Sequence, residues 1–80
     1  MKFKYTAHFK RNYKSLTKEK KKKFNKQLNY LLKNFSHPSL DVKKYDEEKG
    51  IWQARVDRNH RFYFLIERDA IILLNIKPHP

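Results

Sequence analysis

Residues 51–77, IWQARVDRNHRFYFLIERDAIILLNIK, decide the fold of this chain. Apolar side chains recur at every second position in three stretches, residues 51–57, 61–66 and 70–77, and this period is typical of strands that bury one face. The connections between the stretches are short and polar, which favours antiparallel hairpins. The second and third stretches are apolar on both faces near their centres, so we expect both strands in the interior of a sheet.

Alternation predicts which side chains of these strands enter the core. One set is wholly apolar and is expected beneath helices: Trp52, Ala54, Val56, Phe62, Phe64, Ile66, Ile72, Leu74 and Ile76. The opposite set is expected on an open face: Gln53, Arg55, Asp57, Arg61, Tyr63, Asn75, Lys77 and His79. A two-residue loop at Arg58 and Asn59 would instead put Arg55 and Arg61 on opposite faces, because a slip of one residue reverses every side chain. The apolar composition of the first set favours the shared face.

The N-terminal half has the period of helices. After a short strand that contains Phe3 and Tyr5, the apolar spacing in residues 9–16 predicts one amphipathic helix. Thr17 is expected to cap a second helix, which ends at residues 36–39 because proline disfavours helical backbone in the residue before it. A strand at residues 42–45 and an acidic loop that turns at Gly50 complete the chain. The predicted fold is α+β, a single domain over residues 1–80, with two helices on one face of a small antiparallel-dominated sheet in the order β-α-α-β-β-β-β.

The composition limits the possible classes of function. The 80 residues include 20 Lys and Arg against 8 Asp and Glu, and the formal net charge of +12 points to a polyanionic partner. Residues 1–35 alone hold twelve Lys and Arg and one acid. The absence of cysteine excludes disulfides and thiolate zinc sites. No apolar run approaches the roughly 20 residues of a membrane span, and the N-terminus has no signal-peptide pattern, so we expect a cytoplasmic protein with no membrane partner.

The open face combines phosphate-binding cations with titratable side chains. The guanidinium groups of Arg55 and Arg61 have planar, paired donors that can hold phosphate oxygens. His79 can transfer protons, because the ordinary pKa of histidine lies near neutrality. Such groups can cleave RNA with no metal and no cofactor, because the 2′-hydroxyl can attack its own adjacent phosphate. Weaker candidates for base stacking, phosphate contact or proton transfer are Tyr63, His60, Lys43, Lys44 and Lys77. The alternative is that these cations are only solvated or ion-paired.

Several strings, in this order, resemble the RelE/ParE superfamily of bacterial and archaeal toxin–antitoxin toxins. They are residues 34–40 (NFSHPSL) after a lysine-rich helix, 42–45 (VKKY), 50–56 (GIWQARV), 59–64 (NHRFYF) and 76–79 (IKPH). The resemblance covers essentially the whole chain. It implies a RelE/ParE-like fold with the element order predicted above.

The RelE, YoeB and YafQ branches imply a function and partners. Their members are mRNA interferases, which cut mRNA in the ribosomal A site, inhibit translation and are blocked by an antitoxin protein. Arg61 stands where YoeB-like toxins carry a catalytic arginine, and His79 where YoeB- and YafQ-like toxins carry a catalytic histidine. Arg55 occupies a position that is an active-site histidine in YafQ-like members, and Lys43 and Lys44 lie near the basic residues of RelE. The resemblance thus implies a metal-independent endoribonuclease whose partners are the ribosome, mRNA and an antitoxin.

Two charged clusters have competing interpretations. A run on the second helix is either a solvated face or a surface that binds ribosomal RNA phosphates, with steep salt dependence. This run consists of Lys20, Lys21, Lys22 and Lys23. The acidic cluster at residues 46–48 is interpreted as a hairpin loop in preference to a metal site.

Three positions depart from the resemblance. No glutamate stands at Leu40 or Asp41, where YoeB-like toxins carry a general base, Asn75 replaces a YafQ-type arginine, and Pro80 replaces a YoeB-type tyrosine. One alternative is therefore a catalytically degenerate binding module that still holds its antitoxin. The other is a DNA gyrase inhibitor of the ParE branch, which lacks the nuclease residues. The arginine and histidine at catalytic positions argue against that branch.

Overall fold

A computed structural model of the chain describes residues 2–79, so the departure noted at Pro80 lies outside the described residues. The elements in chain order are β1 (Lys2–Tyr5), α1 (Ala7–Lys14), α2 (Lys18–Lys33), a 3₁₀ helix (Pro38–Leu40), β2 (Lys43–Asp46), β3 (Ile51–Arg55), β4 (His60–Glu67) and β5 (Ala70–Pro78). The strands form one sheet in the order β1-β5-β4-β3-β2. β1 pairs with β5 in parallel, and the other pairs are antiparallel. The predicted element order, the dominance of antiparallel pairing and the interior position of β4 and β5 are confirmed.

Threonine caps begin both α-helices. The Thr6 hydroxyl oxygen accepts a hydrogen bond from the backbone N–H of Phe9 at 3.0 Å, which satisfies a free donor in the first turn of α1. Thr17, the predicted cap of α2, accepts one from the N–H of Lys20 at 3.1 Å. The two caps fix where the chain leaves β1 and where it re-enters helix, and they set the helices on one face of the sheet.

Three phenylalanine rings join the helices to the sheet. Phe24 of α2 is 1% exposed, and its ring centroid lies 5.5 Å from that of Phe9 in α1 and 5.2 Å from that of Phe62 in β4. The predicted core residues that the structure buries are Ala54, Val56, Phe62, Phe64 and Ile76, with Trp52 packed against them half-buried. The aromatic centre therefore lies where the alternation of β3 and β4 places it.

Strand β5 contains one extra residue, Leu74. Tyr63 of β4 pairs with Asn75, and the next residue, Phe64, pairs with Leu73, so Leu74 has no partner in β4. This is a β-bulge, in which two residues of one strand oppose one residue of its neighbour. The bulge shifts the side-chain alternation of β5 by one residue at this point.

The bulge corrects two predicted core positions. Ile71 and Leu73 are buried before the bulge and Ile76 after it, while Ile72 and Leu74 are only half-buried. The prediction that Ile72 and Leu74 enter the core is wrong, because it extended one alternation through the whole strand. Beyond the bulge the predicted alternation holds, and the residues that follow Ile76 at odd positions face away from the helices.

Helix α1 stabilises the bulge through its N-terminal cap. The Thr6 hydroxyl donates a hydrogen bond to the backbone carbonyl of Leu74 at 3.0 Å, and the Thr6 N–H donates to the carbonyl of Leu73 at 3.1 Å. The Leu74 carbonyl, which has no partner in β4 because of the bulge, is thereby hydrogen-bonded. Backbone acceptors away from water need such a partner. One threonine therefore caps α1 and stabilises the irregularity of β5.

Three further placements differ from the prediction. Ile66, expected in the core, is 40% exposed near the end of β4. The Asn75 side chain, expected on the open face, accepts a hydrogen bond from Asn12 of α1 at 2.6 Å. Asp57, also expected on the open face, ion-pairs with Lys20 of α2. Asp57 lies beyond the end of β3, where strand alternation no longer directs side chains, and Asn75 follows the bulge directly.

Gln27 of α2 is a buried polar residue at the base of the core. Its Nε2 donates to the backbone carbonyls of Ser39 at 3.1 Å and Arg55 at 2.9 Å. Its Oε1 accepts from the Ser39 hydroxyl at 3.3 Å. The side chain is buried at 6% exposure, so it supplies donors that water cannot replace. It ties α2 to the 3₁₀ helix and to the end of β3.

Replacing Gln27 with Leu is expected to lower the free energy of unfolding by about 1–3 kcal/mol, because the volume is kept while two carbonyls lose their donor. Urea unfolding followed by circular dichroism measures the change. Asn29→Leu, an exposed amide on the same helix, is the matched control and should change stability by less than about 0.5 kcal/mol. Equal stability of the two variants would contradict the role of the buried amide.

Candidate functional site

Three cations face each other across three neighbouring strands. Arg55 of β3 pairs with Arg61 of β4, and Arg61 pairs with Lys77 of β5. Their chain neighbours Ala54, Phe62 and Ile76 lie in the core, so the three cations are on the face that the helices leave open. We call Arg55, Arg61 and Lys77 the cation row. The register predicted for the two arginines is confirmed, because Arg55 and Arg61 are direct partners. The segment between them, residues 56–60, has an odd number of residues, which keeps both side chains on one face.

The guanidinium of Arg61 is held by the loop between β3 and β4. Its Nη1 donates to the backbone carbonyls of Asp57 at 2.7 Å and His60 at 3.0 Å. Both bonds use the same nitrogen, and among residues 2–79 the guanidinium forms no other hydrogen bond. The remaining donors of the planar fork are therefore available to an anion, with the group already oriented.

A carboxylate lies at the end of the cation row. The Oδ2 of Asp41 is 3.2 Å from Nη2 of Arg55 and 3.4 Å from Nζ of Lys43. Asp41 follows the 3₁₀ helix in a left-handed conformation with φ 46°. The Nε of Arg55 is buried and has no hydrogen-bond partner in the described part of the chain. Asp41 was assigned no role from the sequence. The antiparallel register of β2 and β3, in which Lys43 opposes Gln53, nevertheless places position 41 beside position 55.

His79 extends the pairing of β4 and β5 beyond the last strand residue. His60 pairs with Pro78, and the His79 N–H donates to the carbonyl of Asn59 at 2.7 Å. His79 is exposed and directly follows β5, two residues after Lys77, and because its backbone continues the pairing with β4 we expect its side chain on the open face. The bulge of β5 is what gives both residues this side of the sheet.

Two tyrosines lie beside the cation row. Tyr63 pairs with Gln53 on the open face and is 6% exposed, because Tyr45 packs edge-on at 4.8 Å and Nζ of Lys77 lies 5.1 Å from its ring. Burial, followed by the nearby Tyr45, raises the pKa of Tyr63 despite the opposing charge of Arg61, so the phenol stays neutral near pH 7. Tyr45 is 56% exposed. This exposed ring was not identified from the sequence. Tyr45 lies two residues after Lys43 in the edge strand β2, and strand alternation could have placed both residues on the same face.

Two of the predicted binding residues lie elsewhere. Lys44 has its ammonium 3.9 Å from the ring centre of Trp52, which packs against the core on the helix-covered face. His60 precedes Arg61 and faces the opposite way, with its side chain 18% exposed. Its Nδ1 is buried without a hydrogen-bond partner among residues 2–79 and lies 3.9 Å from Oδ1 of Asp57. Neither side chain joins the cation row.

The lysine run of α2 is divided among different contacts. Lys20 binds Asp57, and Lys23 lies 3.5 Å from Glu19 and 3.8 Å from Asp57. Lys21 lies over the ring of Tyr13, whereas Lys22 is exposed. The run is therefore not a uniform row of free charges.

Asp57 is the carboxylate that holds this end of α2. Burial raises its pKa, but the hydrogen bonds from Lys20 and from the N–H groups of Asn59 and His60, together with the charge of Lys20, outweigh burial. The pKa of Asp57 therefore lies below its ordinary value of 3.8, and the group is ionised at neutral pH. The stability that this ion pair contributes is fully present above the ordinary value of 3.8 and is lost as the pH falls through the lowered pKa of Asp57.

Two observations concern metal-binding clusters and membrane-spanning helices. Within residues 2–79 no cluster of three or more His, Asp or Glu side chains is placed to hold a metal ion. None of the helices described over the same residues is long and apolar enough to span a membrane.

Comparison with known proteins bears on the fold. No protein-family model matches the sequence, and no curated protein matches it. The chain is similar to a YoeB/ParE toxin from Agrobacterium tumefaciens at 16% identity and a TM-score of 0.81, with 100% of both chains covered. It is similar to a YoeB dimer from Staphylococcus aureus at 19% identity and a TM-score of 0.83, covering 100% of this chain and 98% of that one. An archaeal RelE–RelB complex from Pyrococcus horikoshii OT3 matches at 20% identity and a TM-score of 0.78, covering 96% and 92%. The chain therefore has the RelE/ParE-like α+β fold.

Proposed function

We propose that this chain, which shares the fold of the RelE/ParE-like toxins, is the toxin of a toxin–antitoxin pair and cleaves mRNA on the ribosome. The observation that carries the proposal is the cation row, together with the backbone bond of His79 to the loop that holds Arg61. Arg55 and Arg61 are paired across two strands on a face that no helix covers, and one of them is oriented by backbone carbonyls. A solvated surface arginine needs no such anchoring.

The proposed reaction is an internal transfer at one phosphate of the RNA. The 2′-oxygen forms a bond to phosphorus, the bond from phosphorus to the 5′-oxygen breaks, and a 2′,3′-cyclic phosphate and a 5′-hydroxyl result. The 2′-hydroxyl loses a proton and the departing 5′-oxygen gains one. Arg55 and Arg61 stabilise the charge of the phosphorane, and His79 transfers protons. Asp41 holds Arg55 at the site through their ion pair. No step needs a metal or a cofactor.

Neighbouring side chains complete the RNA contact. Tyr45 offers an exposed ring on which a base can stack, supported from below by Tyr63. Lys43 and Lys77 are exposed at the two sides of the arginines and suit neighbouring phosphates. Lys22, an exposed lysine of the run that forms no ion pair among residues 2–79, suits ribosomal RNA.

The proposed partners follow from the charge and from the solved relatives. The Pyrococcus horikoshii structure is a RelE–RelB complex, and we infer that an antitoxin likewise binds this chain. A net charge of +12 favours an acidic segment that covers the basic face and blocks RNA. We place the protein in the cytoplasm, where ribosomes and mRNA are found.

In vitro translation tests the function. The purified chain is added to a defined mRNA with and without ribosomes, and the cleavage sites are mapped by primer extension. We expect cleavage only when ribosomes are present, and the same cleavage in the presence of EDTA. A ParE-like gyrase inhibitor would leave translation intact and block DNA supercoiling, and a degenerate binding module would do neither. Either of these results would overturn the proposal.

A further inference from the structure

Asp57 connects helix α2 to the loop between β3 and β4. Its Oδ1 accepts hydrogen bonds from the backbone N–H of Asn59 at 2.8 Å and of His60 at 3.0 Å. Its Oδ2 is bound by the ammonium of Lys20, and Nζ of Lys23 lies 3.8 Å away. The side chain is 14% exposed. Both carboxylate oxygens are therefore used, one to shape the loop and the other to hold it against the helix.

The same loop holds two of the three groups to which the proposed reaction assigns a role, Arg61 and His79. The carbonyls of Asp57 and His60 accept the two hydrogen bonds from Nη1 of Arg61. The carbonyl of Asn59 accepts the hydrogen bond from the N–H of His79. The arginine and the histidine come from different strands, and this loop is a contact that they share.

One peptide group links the carboxylate to His79. The carbonyl of Asn59 and the N–H of His60 are opposite ends of a single planar peptide unit. Asp57 fixes the N–H end of that unit, and so it fixes the direction in which the carbonyl end meets His79. The adjoining carbonyl of His60 and the carbonyl of Asp57 itself point at Arg61. A change at the carboxylate is thus transmitted to both side chains through two or three peptide planes.

We propose that Asp57 is a positioning residue, which orders the β3–β4 loop so that Arg61 and His79 are held together at one phosphate. The inference rests on the proposed function. Asp57 itself faces α2 and does not touch the open face, so its effect on the reaction passes through the loop. Its hydrogen-bond acceptor is the essential part, and its negative charge adds strength to the same bonds.

Three variants of the full-length chain separate this role from general stability. Asp57→Ala removes the acceptor, and Asp57→Asn keeps an oxygen for the two N–H groups while it removes the charge. Asp46→Ala is the matched control, because Oδ1 of Asp46 accepts the N–H of Lys49 at 3.1 Å in the turn after β2, away from the arginine and the histidine. Single-turnover cleavage on programmed ribosomes gives a maximal rate and a half-saturating ribosome concentration for each variant.

Asp57→Ala is expected to lower the maximal rate by about 100-fold, the cost of displacing catalytic groups by roughly 1 Å, with little change in half-saturation. Asp57→Asn should recover most of that loss and stay within about fivefold of the wild type. Asp46→Ala should cleave as the wild type does. A wild-type rate for Asp57→Ala, no recovery in Asp57→Asn, or an equal loss in Asp46→Ala would each overturn the proposal.

Amide hydrogen exchange supplies a readout that does not depend on cleavage. The His79 amide should exchange about tenfold faster in Asp57→Ala than in the wild type, because its acceptor peptide loses a charged hydrogen-bond partner. Amides of the β2–β3 ladder should be unchanged, and Asp46→Ala should leave His79 unaffected. Unchanged exchange at His79 would refute the positioning role even if the wild type cleaves. If the wild type does not cleave, the proposed function fails, and accelerated exchange still shows that Asp57 orders the loop.

Discussion

Arg61→Ala is expected to reduce ribosome-dependent cleavage by about 10²–10³-fold, the effect of removing one preorganised donor from a developing oxyanion. The structure gives this arginine a fixed orientation through the carbonyls of Asp57 and His60, so its free donors meet the phosphate without reorganisation. Arg61→Lys is expected to restore little activity, because an ammonium has neither the planar fork nor the geometry to keep both carbonyl bonds and also bind phosphate. The maximal cleavage rate at saturating ribosomes measures both effects.

The control for Arg61 is an arginine outside the cation row. Arg68 lies in the turn between β4 and β5 with φ 55° and is exposed. Arg68→Gly removes the same charge and suits the left-handed backbone, so it should leave cleavage within about twofold and stability unchanged or slightly higher. If Arg68→Gly and Arg61→Ala lose activity equally, net charge and not the cation row determines cleavage, and the site assignment is wrong.

Phe24→Ala is expected to destabilise the fold by about 3–5 kcal/mol, through lost burial and the cavity that remains. The ring contacts both Phe9 and Phe62, so its removal loosens α1, α2 and the sheet together. Small domains have total stabilities of about 5–15 kcal/mol, and this change would unfold a marginal one. Each kcal/mol shifts the melting temperature by about 4–8 °C in a domain of this size. Thermal and urea unfolding measure the loss.

Two substitutions test whether the effect of Phe24 comes from the core. Leu32 is on the same helix and 45% exposed, so Leu32→Ala should cost less than about 1 kcal/mol. Phe24→Leu keeps most of the apolar volume and should cost clearly less than Phe24→Ala. Both Ala variants raise helix propensity, so a loss in Leu32→Ala as large as in Phe24→Ala would mean that burial of the Phe24 ring in the aromatic centre is not the source of the effect.

The sequence predicted the order of the elements along the chain and the facing arginines because both depend on local period. Alternation in β3 and β4 places Ala54 and Phe62 in the core, and the arginines beside them follow to the other face. The same reasoning could not locate the bulge at Leu74, since the strand is apolar on both sides of that point. Its physical cause is long-range: a hydroxyl from the start of α1 binds the carbonyl that the bulge releases.

Apart from Tyr45 in β2, the parts of the candidate site that were missed come from loops. Asp41 reaches Arg55 through a left-handed residue after the 3₁₀ helix, and no period describes such a turn. Asp57 was assigned to the open face, but it lies two residues beyond the end of β3 and turns to Lys20. A run of lysines in sequence also gives no information on which of them a distant carboxylate will neutralise. Loop geometry and long-range ion pairs therefore had to come from the structure.

The irregularity of β5 also governs how the C-terminal segment tolerates changes in length. If Leu74 were drawn into a continuous ladder, Lys77 and His79 would turn toward the helices, whereas its deletion would remove the bulge and leave Asn75 opposite Tyr63 and Lys77 opposite Arg61. A substitution at the same position would leave both residues where they are. When a distant homologue is aligned across this strand, an alignment error of one residue therefore assigns the residues after the bulge to the wrong face of the sheet. This holds even where the matched residues are identical.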